Sequence, residues 1–526
     1  MTSAKALSLL ASLTSFFIFQ TNVAAASTDA SEFAVTAAGT SNGRLLEARF
    51  AELANVLDYG ANGSDANDDT EAIQAAIDSG IRDVFIPAGR YWISDHDDDG
   101  RILVVGSNVH LHGAGRGVSI LRRAADDNYG VTIKVTADAE NVMLSHFTLD
   151  GNKANQSNSS AGIQGSEGVE NFTVRSLELT EIRGWGLSTN GDGSLSDPLD
   201  SPAKYVAIHD VLVSGGFSKN IQARRSQFVT ISNCHVRTEG FPDDPHSDSA
   251  IEVSRSSYVT VIGNTTDGTG SVPDSNGVAT SPGFRVVNDS SFVTVNGNVA
   301  KGGRQGIIVI DASNVVISDN IVSSPGAAGI QVATTDQAGV WGGVIRNIMV
   351  HGNHVTNGQQ DGFVTHVSDN GVRIDNLVIS ENTFYDDGAN VMEYGLRAKP
   401  NGTIDARIWG NRVINAQTKV VEGVFSGGAV TTGTKLSFEN SSGVPDGSIS
   451  QNSYGMLKLE SGVGGSIQFY NNNSVSQTFR IYGDGTVDFR KPGVVAGNPA
   501  GFYADRYLVM RVNGETVYIP YSTTVW

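Results

Sequence analysis

The strongest constraint on this chain is that it repeats itself. "NVMLSHFTLDGN", "NFTVRSLELTEIRG", "YVAIHDVLVSGG", "FVTISNCHVRTEG", "YVTVIGNTTDGTG", "FVTVNGNVAKGG", "NVVISDNIVSSPG", "NIMVHGNHVTNG" and "NLVISENTFYDDG" follow one grammar: a β-branched strand, a Gly, Asp or Asn turn, a second strand and another turn. Asn233, Asn264, Asn298, Asn320, Asn353, Asn382 and Asn411 recur 22 to 34 residues apart. Spacing of this size is one coil of a solenoid, in which each unit buries its apolar face only against its neighbours. The asparagines are expected to stack from coil to coil and satisfy one another and the turn backbone.

A third strand in each coil has the form Gly-apolar-x-apolar, as in "AGIQG", "WGLST", "KNIQA", "SAIEV", "PGFRV" and "QGIIV". Strand side chains alternate between faces, which places Ile163, Leu187, Ile221, Ile251, Phe284 and Ile307 inward. Gln164, Ser188, Gln222, Glu252, Arg285 and Ile308 then form an outward column. Ser166, Asn190, Arg224, Ser254 and Val287 form a parallel one. Polar and charged members cluster between about residues 160 and 290, as a localised groove requires, and the columns turn apolar or mixed farther on. Composition agrees with an all-β chain: 61 glycines supply turns, and only 17% of residues are charged.

Before the repeats, "DDTEAIQAAIDSG" predicts a short helix with Asp68 or Asp69 as its cap and Ala72, Ile73, Ala76 and Ile77 as one apolar stripe. "DVFIPAGRYWI" follows as two strands around a turn. This opening resembles the N-terminal cap of the pectate-lyase-like, right-handed parallel β-helix superfamily, and the expected fold is that solenoid with a small C-terminal β-rich module. The expected organisation is a signal peptide over 1–26, an arm over 27–48, the β-helix over 49–425 and the β-rich module over 426–526. Lys5, the apolar run "LSLLASLTSFFIF" and the small residues of "VAAAS" carry the export reading, so a secreted protein is expected. The closing segment, with a hairpin turn at Asn513-Gly514, resembles modules of phage tailspike proteins, and that resemblance implies a homotrimer as one assembly.

Two stretches resemble mannuronan C5-epimerases, a family that shares chemistry with alginate lyases. "LDGNKANQ" is similar to a family stretch whose lysine lies in the substrate site, here Lys153. "IRGWGLSTNGDG" falls where the family carries its catalytic pattern, but here Trp185 replaces the tyrosine, Ser188 the aspartate and Asn190 the histidine. The resemblance therefore implies a similar groove with different catalytic groups.

The net charge of −19 argues against a nucleic-acid partner, yet Lys153, Lys219, Arg224, Arg225 and Arg285 fall on neighbouring coils. Such a local cluster suits an acidic polysaccharide. Polyuronate β-elimination needs a cation on the C5 carboxylate, a base for the C5 proton and an acid for the leaving O4. Arg224 is expected to grip the carboxylate, with Lys219 and His246 as catalytic partners. Asp150, Lys153, Trp185, Asn190, Gln222, Asp248, Glu252 and Arg285 complete the expected binding surface. Two alternatives stand beside the lyase: a glycoside hydrolase using carboxylates among Asp244, Asp248 and Glu252, and a tailspike-like glycan-binding protein. No cofactor is required by this chemistry and no metal site is assigned, although the oxygen-rich stretch at 190–197 offers ligands for Ca2+. No membrane insertion is expected, and the lone Cys234, in "VTISNCHV", reads as a core thiol.

Overall fold

β-branched runs separated by turns stack here into three long sheets. The computed structural model describes residues 34–36 and 41–422, apart from residues 95–99, 126–129, 158, 191–200, 217–218, 240–248, 271–280, 336–343, 368–372, 389–390, 401–402 and 417–418; beyond them it describes eight strands between residues 435 and 521. The signal segment therefore lies outside the described residues, as do His246 and Asp248. Each coil contributes one strand to each of a 13-, a 15- and a 12-stranded sheet, and every pair in the repeating region is parallel. The chain is a parallel β-helix, as the repeats require.

The inward column holds in register. Ile163 pairs with Leu187, Leu187 with Ile221, Ile221 with Ile251, Ile251 with Phe284 and Phe284 with Ile307. All six are buried. Each such side chain contributes roughly 1.5–3 kcal/mol. A one-residue slip would expose the whole column, so the register is fixed by the core.

At the N-terminal end, Thr70–Ile77 forms the expected helix, with Ile73, Ala76 and Ile77 buried against the first coils. Asp69 occupies the cap position without a side-chain capping bond; Asp68 does that work, its Oδ1 accepting from Thr70 N at 2.8 Å. At the other end, Lys435–Glu439 is the last strand to pair in parallel. Pro445–Gln451 and Leu457–Ser461 then add antiparallel strands. The strands flanking Asn513-Gly514 pair antiparallel, with Val512 opposite Glu515, as the turn signal predicts.

The asparagine ladder is present, with one correction. Asn264, Asn298, Asn320, Asn353, Asn382 and Asn411 are buried, and each Nδ2 from Asn264 to Asn382 donates to the next Oδ1 at 2.8–3.0 Å. Asn233 does not belong to it. Its φ of 53° places it in the left-handed turn, and Cys234 occupies the ladder position, its N–H donating to Asn264 Oδ1 at 2.9 Å. Burial pushes the Cys234 thiol up to about 12. Cys234 is therefore expected to resist alkylation in the native protein near neutral pH and to react after denaturation, measurable by mass spectrometry.

Candidate functional site

Leu187, Ile221, Ile251, Phe284, Ile307 and Ile330 anchor six successive strands of the 12-stranded sheet, and this stretch carries a groove of about 590 Å3 on its outer face. At about 4.8 Å per strand it is long enough for several consecutive sugar rings. Trp185, Lys219, Gln222, Arg224, Glu252, Ser254, Arg285, Val287, Asn288, Ile310, Asp311 and Thr335 line it. The outward column is confirmed by register: Gln164–Ser188, Ser188–Gln222, Gln222–Glu252, Glu252–Arg285 and Arg285–Ile308 are direct partners.

Glu252 is the centre of this surface. Its strand position turns it outward, but neighbouring side chains cover it, so only 1% of the residue is exposed. Gln222 Nε2 donates to its Oε1 at 2.6 Å, and Arg285 Nη1 donates to its Oε2 at 3.0 Å. Lys219 Nζ stands 3.8 Å from Oε1. Ser188 Oγ in turn donates to Gln222 Oε1 at 3.2 Å. A carboxylate taken out of water needs such partners, and here they come from strands on either side of it. Arg224 lies on the parallel column, opposite Ser254 and then Val287, and reaches the same groove.

Trp185 enters the groove from a segment with no room to spare. A Cβ on Gly184 would meet Ser160 O at 2.3 Å, and one on Gly186 would meet Asn220 O at 2.3 Å. The coils approach too closely for any other residue on either side of the indole. This arrangement presents a half-buried aromatic ring at one end of a polar wall, a surface suited to a pyranose ring.

Several expected members lie elsewhere. Asp150 is in the 15-stranded sheet, where it pairs with Arg122 and accepts from Asn152 N at 2.9 Å. Lys153 follows in the adjoining turn; its Nζ donates to Gly215 O at 2.9 Å and stands 3.8 Å from Glu181. Neither lines the groove. Asn190 is wholly buried, its Nδ2 directed to Ser201 O at 3.4 Å, so its column position carries no side chain into the groove. Ser166 likewise turns to Val135 O, at 2.6 Å. Arg225 faces away, as alternation requires, and pairs with Glu167.

Asn288, Asp311 and Thr335 were not anticipated. Asn288 and Asp311 have φ of 57° and 50°, and the Asn or Asp that closes successive strands was the available signal. Asp311 is itself held, accepting from Thr335 N at 3.1 Å and Thr335 Oγ1 at 2.5 Å. Toward the C-terminal end the columns are mixed, with Arg397 and Lys399 among apolar members. There Asp361, buried, stands 3.7 Å from Arg397 and 3.8 Å from Lys399.

Comparison with known proteins agrees with this architecture. Residues 165–343 match the family model described as "Right handed beta helix region". The chain is 34% identical over 187 residues to mannuronan C5-epimerase AlgE1 of Azotobacter vinelandii, an alignment spanning 32% of this chain and 13% of that protein. It is 36% identical over 144 residues to alginate lyase 7 of the same organism, spanning 24% of this chain and 17% of the other. The AlgE4 A-module from A. vinelandii superimposes with a TM-score of 0.56 at 19% identity, covering 72% of this chain and 99% of the module. The alignments with the two curated relatives thus cover less than a fifth of either protein's length. The chain has the fold of a parallel β-helix, matches the right-handed β-helix family model over residues 165–343, and is similar over part of its length to mannuronan C5-epimerases.

Proposed function

We propose that this chain is an exported polysaccharide lyase that cleaves a uronate-containing glycan, of alginate type, by β-elimination. The observation that carries the reading is the placement of Arg224 and Arg285, with Lys219 beside them, in one groove around buried Glu252, in a chain whose net charge is −19. A broadly acidic protein that concentrates cations in one cleft is built to receive an anion there. The partial likeness to mannuronan epimerases and to an alginate lyase points to the same class of sugar.

The chemistry follows from the groups present. Arg224 holds the C5 carboxylate of the sugar in a two-pronged contact, and Arg285 adds positive charge beside it. Both oppose the negative charge that builds on the carboxylate as the C5 proton leaves. Lys219, acting as the neutral amine, takes that proton and becomes the ammonium; the electron pair of the C5–H bond forms the C4–C5 double bond, and the C4–O4 bond breaks with its pair leaving on O4. A proton must reach O4; His246, which lies outside the described residues, is assigned that step. Glu252 does not react; it positions Lys219 and Arg285.

Hydrolysis is the weaker reading because it needs one protonated carboxyl and one carboxylate. Among the described groove residues the carboxyl groups are Glu252 and Asp311, and both are already engaged: Glu252 by Gln222 and Arg285, Asp311 by Thr335. No helix among the described residues is long and apolar enough to cross a membrane.

Purified protein incubated with alginate, its mannuronate-rich and guluronate-rich fractions, and pectate provides the test. The expected result is ultraviolet absorbance from an unsaturated uronate. Arg224→Ala should lower this rate on the order of 100-fold without changing the far-ultraviolet circular dichroism. New reducing ends without that absorbance would instead mean hydrolysis. A changed uronate composition by NMR without chain cleavage would mean epimerisation, and tight binding alone would mean a glycan-binding protein; each outcome overturns the lyase.

A further inference from the structure

A second cluster of chemistry-bearing side chains lies on a different face, at the N-terminal end of the solenoid. Asp83–Ile86, His110–Gly113 and Glu140–Ser145 are adjacent strands of the 13-stranded sheet. Register sets Asp83 opposite His110, and Phe85 opposite His112. Val84 and Leu111 fill the core, so Asp83, His110 and His112 share the outer face.

On that face they converge. One ligand atom from each of the three lies within 4.8 Å of the others. Asp83 Oδ1 is 2.8 Å from His110 Nδ1, and the two imidazole rings stack with centroids 4.6 Å apart and planes 25° apart. The far nitrogen of His110, Nε2, is 2.9 Å from Ser145 Oγ on the third strand.

We propose that Asp83, His110 and His112 form a binding site for a borderline transition-metal ion of the Zn2+ class. Two imidazoles and one carboxylate are the donor set such ions favour; Ca2+ and Mg2+ prefer oxygen throughout. The Ser145 contact supplies the orienting partner that metal-bound histidines use. With Nε2–H donated to Ser145 Oγ, the Nδ1 lone pair of His110 faces the metal position beside Asp83 Oδ1. Three protein ligands leave a position for water, and Asp83, 46% exposed at its side chain, lies on the route from solvent. The ion would tie together two adjacent strands near the N-terminal end of the solenoid. The groove lies on another sheet, so this site is independent of the proposed elimination.

Untagged full-length protein, stripped with a chelator and titrated with ZnSO4 by calorimetry, provides the test. One ion per chain is expected, with a rise in melting temperature that EDTA reverses. His110→Gln and His112→Gln should each weaken binding at least about 10- to 100-fold and remove the thermal shift, while keeping the wild-type circular dichroism. Cu2+ bound to the wild-type protein should show nitrogen hyperfine coupling from imidazole in its electron paramagnetic resonance spectrum, a readout that does not depend on any variant folding. Unchanged affinity in the His110→Gln, His112→Gln double variant would overturn the proposal, as would no Zn2+ binding or an oxygen-only copper spectrum.

Discussion

Glu252→Ala is expected to abolish the unsaturated-uronate signal and to destabilise the solenoid at once. Removing the carboxylate leaves Arg285 and Lys219 facing each other across the space it occupied, and leaves Gln222 Nε2 without its acceptor. Breaking a partly buried ion pair from one side costs about 3 kcal/mol, because the remaining charges stay desolvated. Glu252→Gln separates the two effects. Its amide oxygen can still accept from Gln222, so stability should fall by only about 1–2 kcal/mol. The charge that organises Lys219 and Arg285 is nevertheless gone, and the rate should stay at least about 100-fold down. Urea midpoints and absorbance assays on the two variants would check this. Full activity in Glu252→Gln would mean that Lys219 and Arg285 need no anchoring carboxylate.

Asn320→Ala should be among the most damaging single changes far from the groove. Asn320 Nδ2 donates to Val295 O and Asn353 Oδ1, and its Oδ1 accepts from the backbone and side-chain N–H groups of Asn298. Alanine strands polar groups on both neighbouring coils, in a site that is 1% exposed. At roughly 1–3 kcal/mol for each buried group left unsatisfied, a total loss of about 4 kcal/mol is expected. Asn233→Ala, outside the ladder, should cost less, about 1–2 kcal/mol, from placing alanine at a left-handed φ of 53°. Chemical denaturation of both variants gives a direct comparison. Equal midpoints would mean that water replaces the lost side chain and that the ladder contributes little.

The two asparagines also show how far local pattern reaches. Spacing alone put Asn233 in the ladder, yet one residue of phase separates it from Cys234, which holds the ladder position. A recurrence of 22 to 34 residues does not resolve a shift of one, whereas a backbone hydrogen bond does. The groove columns were more legible because strand parity has a period of two and survives changes in loop length. Thus Gln222, Glu252 and Arg285 stand side by side as alternation requires.

Parity gives direction but not environment. Glu252 points outward and is nevertheless buried, because Gln222 and Arg285, each at least 30 residues away, fold over it. Lys153 and Asp150 matched a family stretch, but the turn that carries them directs their charge to Gly215 O, Glu181 and Arg122. Asn190 follows its strand into a buried bond with Ser201 O. The histidine pair at 110 and 112 drew no notice in the primary structure, since its carboxylate partner lies a coil earlier.

Coil repetition, inward and outward parity, and the polar stretch of the wall can all be read along the chain, because each depends on residues a few positions apart. Which charges meet, which are covered and which are spent on backbone carbonyls depends on coils joined by loops of unequal length. Those contacts exist only once stacking has set the loops side by side.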